Sequence, residues 1–303
     1  MISLGLRYFL EVARSGSIAG AAASQHVAAS AVSRQIAKLE DGLGIALFER
    51  QARGMELSEA GRQLAAYANA AALEAERVTA ELRQRSHVGD VTIRLACTEG
   101  FAHQFLPMSM AQFKRSRPEA RFHLHVERPE EVSRHVLEGL AQIALRYTTA
   151  QDDRLKTELL TRAPVYAVMC RKHPLAGRRS IGMRDLVHYP LSLGDHGTTV
   201  RQLFDAACAN AGLHIEPAYV SNHSAAFLPM LPGSQIVALS GYLTLMGQLG
   251  SGGALVAVPF SNPEMRQRSI QVLTLQGRTL PLLAREFLSF MADNLTAAPR
   301  WPE

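Results

Sequence analysis

Residues 28–44 read AASAVSRQIAKLEDGLG, and the order of polar and apolar side chains in this stretch decides the fold of the N-terminal part of the chain. Val32, Ile36 and Leu39 recur at i, i+4 and i+7, one apolar stripe of a helix running from about Ser30 to Asp41. Ser30, Arg34 and Lys38 recur at i, i+4 and i+8 on a second face, with Ser33 at its edge. Gly42 and Gly44 supply the stop. Such a polar face suits a major groove. Arg can donate bidentately to guanine, Ser can bond a base or a phosphate, and Lys can neutralise a phosphate. The solvated face of any surface helix looks similar, so the helical wheel alone leaves both readings open.

Upstream, Leu6, Phe9, Leu10 and Ala13 follow i, i+3, i+4, i+7 spacing, an amphipathic helix that stops at Ser15-Gly16. Ser17 can cap a second, alanine-rich helix from about Ile18 to Gln25, whose small side chains permit close packing in a three-helix unit. A break follows at His26-Val27. Downstream, Leu47–Arg50 and Met55–Leu57 flank the turn Gln51-Ala52-Arg53-Gly54 and predict a β-wing. Arg53 at its tip could reach a minor groove or a phosphate. Ser58 then opens a long helix to about Ser86, roughly 40 Å at 1.5 Å per residue. Leu64, Ala68, Ala71, Ala75, Val78 and Leu82 step by 4, 3, 4, 3, 4, a heptad seam suited to a partner helix. A core helix of a globular domain is the alternative.

Beyond His87-Val88-Gly89-Asp90 the periodicity changes. Val91–Cys97 alternates as a strand, and helical and strand-like stretches then take turns to the end. Further strands are expected at 121–127, 142–146, 165–169, 191–193, 218–221, 236–239 and 270–275. Helices are expected at 102–115, 130–138, 199–211 and 280–294. This alternation predicts parallel βαβ units arranged as two α/β lobes. Ligands of such lobes sit beyond the carboxyl ends of strands, where helix N-termini point. Two loops qualify: Thr98-Glu99-Gly100, and Gly194–Thr199 ahead of a helix. Thr98, His196 and Thr199, with Arg146 at the end of a strand, are the candidate effector-binding residues. Helix capping by the threonines and a surface salt bridge from Arg146 are the plain alternatives. Backbone N–H groups at these turns favour an anion. Glu99 must therefore either turn outward or meet an amine on the ligand.

The 303 residues suggest two or three units, and 47% hydrophobic with 19% charged residues is a globular composition. The net charge of +5 says little about the N-terminal part, because residues 1–60 hold six basic and six acidic groups. Any DNA argument therefore rests on positions, not on bulk charge. Cys97, Cys170 and Cys208 lie far apart and outside any CxxC pattern, which fits a reducing cytoplasm. No secretory leader pattern and no apolar run long enough for a membrane span is expected.

The residue order adds more. Ser17, Ala21-Ala22, Val27, Ala31–Ile36, Leu39-Glu40, Leu43-Gly44, Leu47–Arg50, Arg53 and Leu57–Gly61 fall in register with the N-terminal domain of LysR-type transcriptional regulators, which this stretch closely resembles. Phe105-Leu106-Pro107, Arg117-Pro118, His173–Ala176 and Ala284…Phe287-Leu288…Phe290 resemble landmarks of that family's effector domain. The resemblance implies an α/β protein with a winged helix-turn-helix at 1–57, a linker and dimerisation helix at 58–87, and a two-lobed effector domain at 88–303 similar to periplasmic binding proteins. Lobe I would span about 91–161 and 268–303, and lobe II about 162–267. It implies contacts to double-stranded DNA from Ser30, Ser33, Arg34 and the wing residue Arg53, beside which the wheel sets Lys38. It also implies a small-molecule effector between the lobes and assembly from homodimer to homotetramer, with no enzyme activity. Three positions depart from the family pattern, one of them Gln25, where members usually have an apolar residue. Family members often carry Ser or Thr then Gln where this chain has Ala28 and Ala29, which removes an N-cap and a base-reading amide.

Other signals carry less. His123 and His125 share a strand face, but no third ligand follows at metal spacing. Cys208 has no visible resolving partner for redox sensing. GxSxG and HExxH patterns are absent, and neither cofactor nor metal is expected. The competing class is a small-molecule-binding or catalytic α/β protein whose N-terminal domain only oligomerises.

Overall fold

The computed structural model describes residues 3–51, 54–84, 91–149, 154–246, 248–249 and 253–297. The chain divides into two compact units. One is Met1–Gly89 with Leu137–Ala141 and Thr279–Leu282; the other holds Asp90–Val136, Gln142–Arg278 and Leu283–Glu303.

The first unit begins with α1 (Leu4–Ser15), α2 (Ile18–Gln25) and α3 (Ala29–Leu43). Local chemistry sets each boundary. Ser3 caps α1, and Gly16 ends it at φ 67°. The Ser17 hydroxyl accepts from the Gly20 N–H at 3.0 Å, which caps α2. His26 ends α2 at φ 53°, a left-handed conformation that His tolerates better than most side chains. Ala28 precedes α3 with no side-chain cap, as its missing hydroxyl requires. Tyr8, Phe9, Val12, Ala21, Ala22, Val32 and Ile36 close over one another as the core of the three helices.

A hairpin follows, β1 (Phe48–Gln51) and β2 (Gly54–Leu57), antiparallel with Phe48 opposite Leu57. It joins the same core through Leu47 and through Phe48, whose ring centroid lies 5.3 Å from that of Phe9. Glu40 fixes the strand's entry: its Oε1 accepts from the N–H groups of Leu47 at 2.8 Å and Phe48 at 3.3 Å. Ser58 is the cap of α4 (Glu59–Gln84), bonding the Gly61 N–H at 3.0 Å while its own hydroxyl donates to the Ala46 carbonyl at 2.8 Å. Gly61 sits so close to β1 that a Cβ there would lie 2.1 Å from the Leu47 carbonyl oxygen. The helix expected to Ser86 is described to Gln84, and the turn residue Arg53 lies outside the described residues.

Among the described residues, the second unit holds two five-stranded sheets. In the first, β3 (Val91–Cys97), β4 (Ala120–Val126), β5 (Ile143–Thr148), β6 (Leu155–Arg162) and β12 (Ser269–Leu275) lie in the order β4-β3-β5-β12-β6. In the second, β7 (Tyr166–Cys170), β8 (Leu191–Gly194), β9 (Tyr219–Ser221), β10 (Val237–Ser240) and β11 (Leu255–Pro259) lie in the order β11-β7-β10-β8-β9. The parallel βαβ units expected from sequence are present, and each sheet also carries antiparallel strands. β3 runs parallel to β4 and β5, and β8 to β9 and β10, but β12 is antiparallel to β5 and β6, and β7 to β10 and β11. Parallel neighbours need a crossover connection, usually a helix. β6 and β12 are instead joined by chain that leaves one sheet for the other and returns, so no crossover helix sets their direction.

Helices cover these sheets: α5 (Glu99–Ala102), α6 (Phe105–Ser116), α7 (Pro129–Leu137) and α11 (Leu282–Ala297) on the first, α8 (Met183–Leu186), α9 (Thr199–Asn210) and α10 (Tyr242–Leu245) on the second. The single helix expected at 102–115 is two, because Gln104 leaves helical geometry at φ −140°. Phe113 packs edge-on against Phe287 at 5.2 Å, and Arg117 donates to Glu286 at 2.8 Å, tying α6 to α11. The second sheet is buried on both faces, one under Leu203, Phe204 and Ala207 of α9, the other under Leu228, Leu231 and Leu245.

Candidate functional site

In the first unit, α3 presents a polar face. On α3, Val32 and Ile36 are buried while Ser30, Ser33, Arg34 and Lys38 are exposed, so the wheel read from sequence separates the two faces. The Arg34 Nε donates to the Ser30 carbonyl at 3.2 Å, which lays the guanidinium along the first turns of the helix. Those turns are the part that enters a groove in helix-turn-helix docking.

The second unit offers a cleft of about 310 Å³ between the two sheets. Thr98 and Gly100 approach from the first sheet, and Thr199, Ser240 and Gly241 from the second. Thr98, His196 and Thr199 line it, as three of the four residues singled out from sequence. His196 is exposed; Thr199 opens α9, while the neighbouring Thr198 caps it by accepting from the Arg201 N–H at 3.2 Å. Arg146 is not among the lining residues. Its buried guanidinium donates to Gln271 Oε1 at 3.0 Å and Ser133 Oγ at 2.7 Å, under α7. The correction has a simple cause. Successive strand residues face opposite ways, and on β5 the neighbour, Tyr147, is the one that faces the cleft.

Sequence reasoning also missed Arg268, which is 2% exposed and lines the same cleft. It donates from Nε to the Ala163 carbonyl at 2.8 Å and from Nη2 to the Pro164 carbonyl at 3.3 Å, where the chain crosses between sheets. Its guanidinium carbon lies 4.1 Å from the Tyr147 ring centroid, and Phe101 stacks on that ring at 4.4 Å. Burial pushes the Arg268 pKa down and pushes that of the Tyr147 phenol up to about 12. Glu99, awkward in an anion-favouring turn, directs Oε1 to His103 Nε2 at 3.1 Å and accepts from the Ala225 N–H at 3.3 Å.

His123, His125 and His135 gather at one edge, with the His125 ring 4.4 Å and 4.9 Å from the other two. Among the described residues no group of three or more has the arrangement of metal ligands. Cys208 is buried, and burial raises its pKa, which keeps the thiol protonated. No described helix is long and apolar enough to cross a membrane.

Known proteins share both parts. Residues 5–62 match the bacterial regulatory helix-turn-helix protein, lysR family, and residues 88–296 match the LysR substrate binding domain. The chain is 26% identical to the transcriptional dual regulator GltC of Bacillus subtilis, covering 94% of this chain and 95% of that one. It is 28% identical to a probable nitrogen assimilation transcriptional activator of Synechococcus elongatus, covering 96% and 94%. Among solved structures, a full-length OxyR variant from Pseudomonas aeruginosa superposes with a TM-score of 0.71 at 19% identity over 98% of this chain and 95% of that one. Full-length CbnR in complex with its target DNA superposes with a TM-score of 0.62 at 19% identity over 97% and 99%. With the matched domains spanning most of its length, the chain belongs to the LysR family, as a DNA-binding transcriptional regulator with an effector-binding domain and not as an enzyme.

Proposed function

We propose that this regulator reads a specific DNA sequence with α3 and responds to a small organic anion held between the two lobes of its second unit. The observation that carries the DNA half is the segregation on α3: Ser30, Ser33, Arg34 and Lys38 exposed, Val32 and Ile36 buried. Arg34 reads a base, Ser30 and Ser33 contact base or backbone, and Lys38 binds a phosphate; Arg53 would add a contact from the wing. The effector half is supported by the cleft, which Thr98, Tyr147 and Arg268 line. The regulator works in the cytoplasm, where its DNA is, as a dimer built on α4 and a tetramer of two such dimers.

A gel-shift at fixed salt, on a site selected from a random duplex pool, tests the assignment. Arg34→Ala is expected to weaken binding to the selected site at least tenfold and to relax one base position, the worth of a bidentate base contact. Lys38→Ala should weaken all sequences alike and reduce the salt slope by about one. Unchanged binding by Arg34→Ala would remove α3 as the reading helix.

A further inference from the structure

Arg268 buries a full positive charge, and among the described residues no carboxylate lies against it. A buried ion without a counter-charge is strongly disfavoured unless dipoles or a ligand compensate. Two carbonyls and the Tyr147 ring compensate in part. A guanidinium has five N–H donors, and the two carbonyl bonds use two of them. Two further polar groups line the same cleft in the same condition. Thr98 Oγ1 and the Tyr147 hydroxyl are buried and make no hydrogen bond of ordinary geometry, Thr244 standing near the phenol without closing one. Native folds seldom leave such groups unsatisfied without a functional reason.

The surrounding backbone is shaped around these groups. A Cβ on Gly241 would lie 2.4 Å from Arg268 Nη2, and one on Gly100 would lie 2.8 Å from Tyr147 Cε2. Both glycines line the cleft, so the Phe101–Tyr147–Arg268 stack occupies space that any other residue would fill. One oxyanion would suit all three groups at once: a cation, a neutral phenol that donates, and a hydroxyl that donates. The rest of the lining carries the opposite sign. Glu99, Glu127 and Asp195 are there, with Arg128, 3.9 Å from Asp195, as the one other full cation among the described residues. The volume of about 310 Å³ admits a ligand on the order of ten non-hydrogen atoms, at about 30 Å³ for each water-sized portion.

Resting on the reading of this cleft as the effector site, we infer that it selects a small monocarboxylate, with Arg268 reading the carboxylate and Tyr147 and Thr98 donating to it. A second carboxylate on the ligand would face Glu99, Glu127 or Asp195 and be repelled.

The test uses the purified full-length protein and titration calorimetry, backed by thermal shift. The probes are benzoate, phenylacetate and pyruvate, with the amides of the first two, and the dicarboxylates phthalate and succinate. At least one monocarboxylate is expected to bind, at least tenfold tighter than its amide and than either dicarboxylate. Arg268→Met should weaken it by roughly ten- to hundredfold, the worth of hydrogen bonds to a charged group. Arg268→Lys, which keeps the charge but loses the planar fork, should recover part of the loss. Tyr147→Phe should weaken binding several-fold while leaving the melting temperature of the free protein nearly unchanged, since its hydroxyl closes no hydrogen bond of ordinary geometry there. Equal binding of an amide or a dicarboxylate, undiminished affinity in Arg268→Met, or silence of the whole panel at millimolar concentration overturns the inference. If uncharged probes alone bind and Thr199→Trp abolishes that binding, the effector site stands and the monocarboxylate falls. If carboxylates bind and Thr199→Trp changes nothing, the cleft itself is the wrong site.

Discussion

His173 shows how one side chain makes the second unit sensitive to pH. Its ring is buried, with Nδ1 accepting from the Leu175 N–H at 3.1 Å and Nε2 donating to the Gln235 carbonyl at 3.2 Å. Only the neutral ring can do both, and burial lowers its pKa below the usual 6.5 despite the opposing pull of the Gln235 carbonyl. The unfolded chain therefore takes up a proton near pH 6.5, and the folded chain only at lower pH. Between those values the unfolded state holds more protons, so stability falls as pH falls. His125 adds a slope of the same sign, its pKa lowered by burial and then by His123 and His135. The denaturant midpoint is expected to drop between pH 7 and pH 5. His173→Ala should make that slope shallower, at a cost of about 1–3 kcal/mol at pH 7 from the lost bonds. An unchanged slope would remove His173 from the account. At this scale the sequence exposed what sits in loops after strands. Thr98, His196 and Thr199 are placed by a local pattern of strand, turn and helix. Arg268 is not, because its burial comes from carbonyls 105 and 104 residues earlier in the chain. Strand parity separates Arg146 from Tyr147: β5 reads Ile143-Ala144-Leu145-Arg146-Tyr147-Thr148 and is buried on both faces, so its sequence carries no inside–outside alternation to tell which face meets the cleft.

Among the elements, the short helices of the first unit were legible because each carries its own stop: Gly16, His26 and Gly44 are all left-handed caps. β6 and β11 were not legible. β6 is mostly polar and half-exposed, and β11 is a short apolar run that periodicity cannot assign. Two substitutions test how local these boundaries are. Ala28 already has cap geometry, φ −70° and ψ 139°, but no group to accept a hydrogen bond. Ala28→Ser should stabilise the first unit by about 1 kcal/mol, read as a higher melting temperature, because only the missing acceptor is restored. Gly61→Ala should do the opposite. Its methyl would strike the Leu47 carbonyl, which is backbone of the hairpin and also receives the Ser58 N–H at 3.0 Å. The start of α4 must then shift off β1, a loss of roughly 1–3 kcal/mol or more. If Gly61→Ala melts like the parent, the close approach of α4 to the hairpin is not needed for the fold.

For the whole molecule, the heptad spacing on α4 runs through two environments. Leu64 packs on the core of the first unit, and Ala65 and Ala68 are buried, so the first positions of the seam are used within the chain. The core-helix reading holds there. From Ala71 onward the pattern continues without such burial: Ala71 and Ala75 are half-buried, and Val78 is 41% exposed. Tyr67, one position before Ala68, is 65% exposed. A stripe of alanines with a valine lets a second helix approach closely but supplies little apolar area per turn, so α4 pairing should be sensitive to a single charge. Val78→Asp is expected to shift sedimentation from dimer or larger toward monomer at micromolar concentration. It should leave the melting of the first unit nearly unchanged, since Val78 lies beyond that unit's core. The same substitution should weaken binding to a two-half-site duplex by a hundredfold or more, while binding to a single half-site is unaffected, because linking two readers raises affinity through effective concentration and not through new contacts. Were Val78→Asp to remain dimeric with full affinity for the paired site, the partner surface would lie elsewhere, and the open half of the α4 seam would need another explanation.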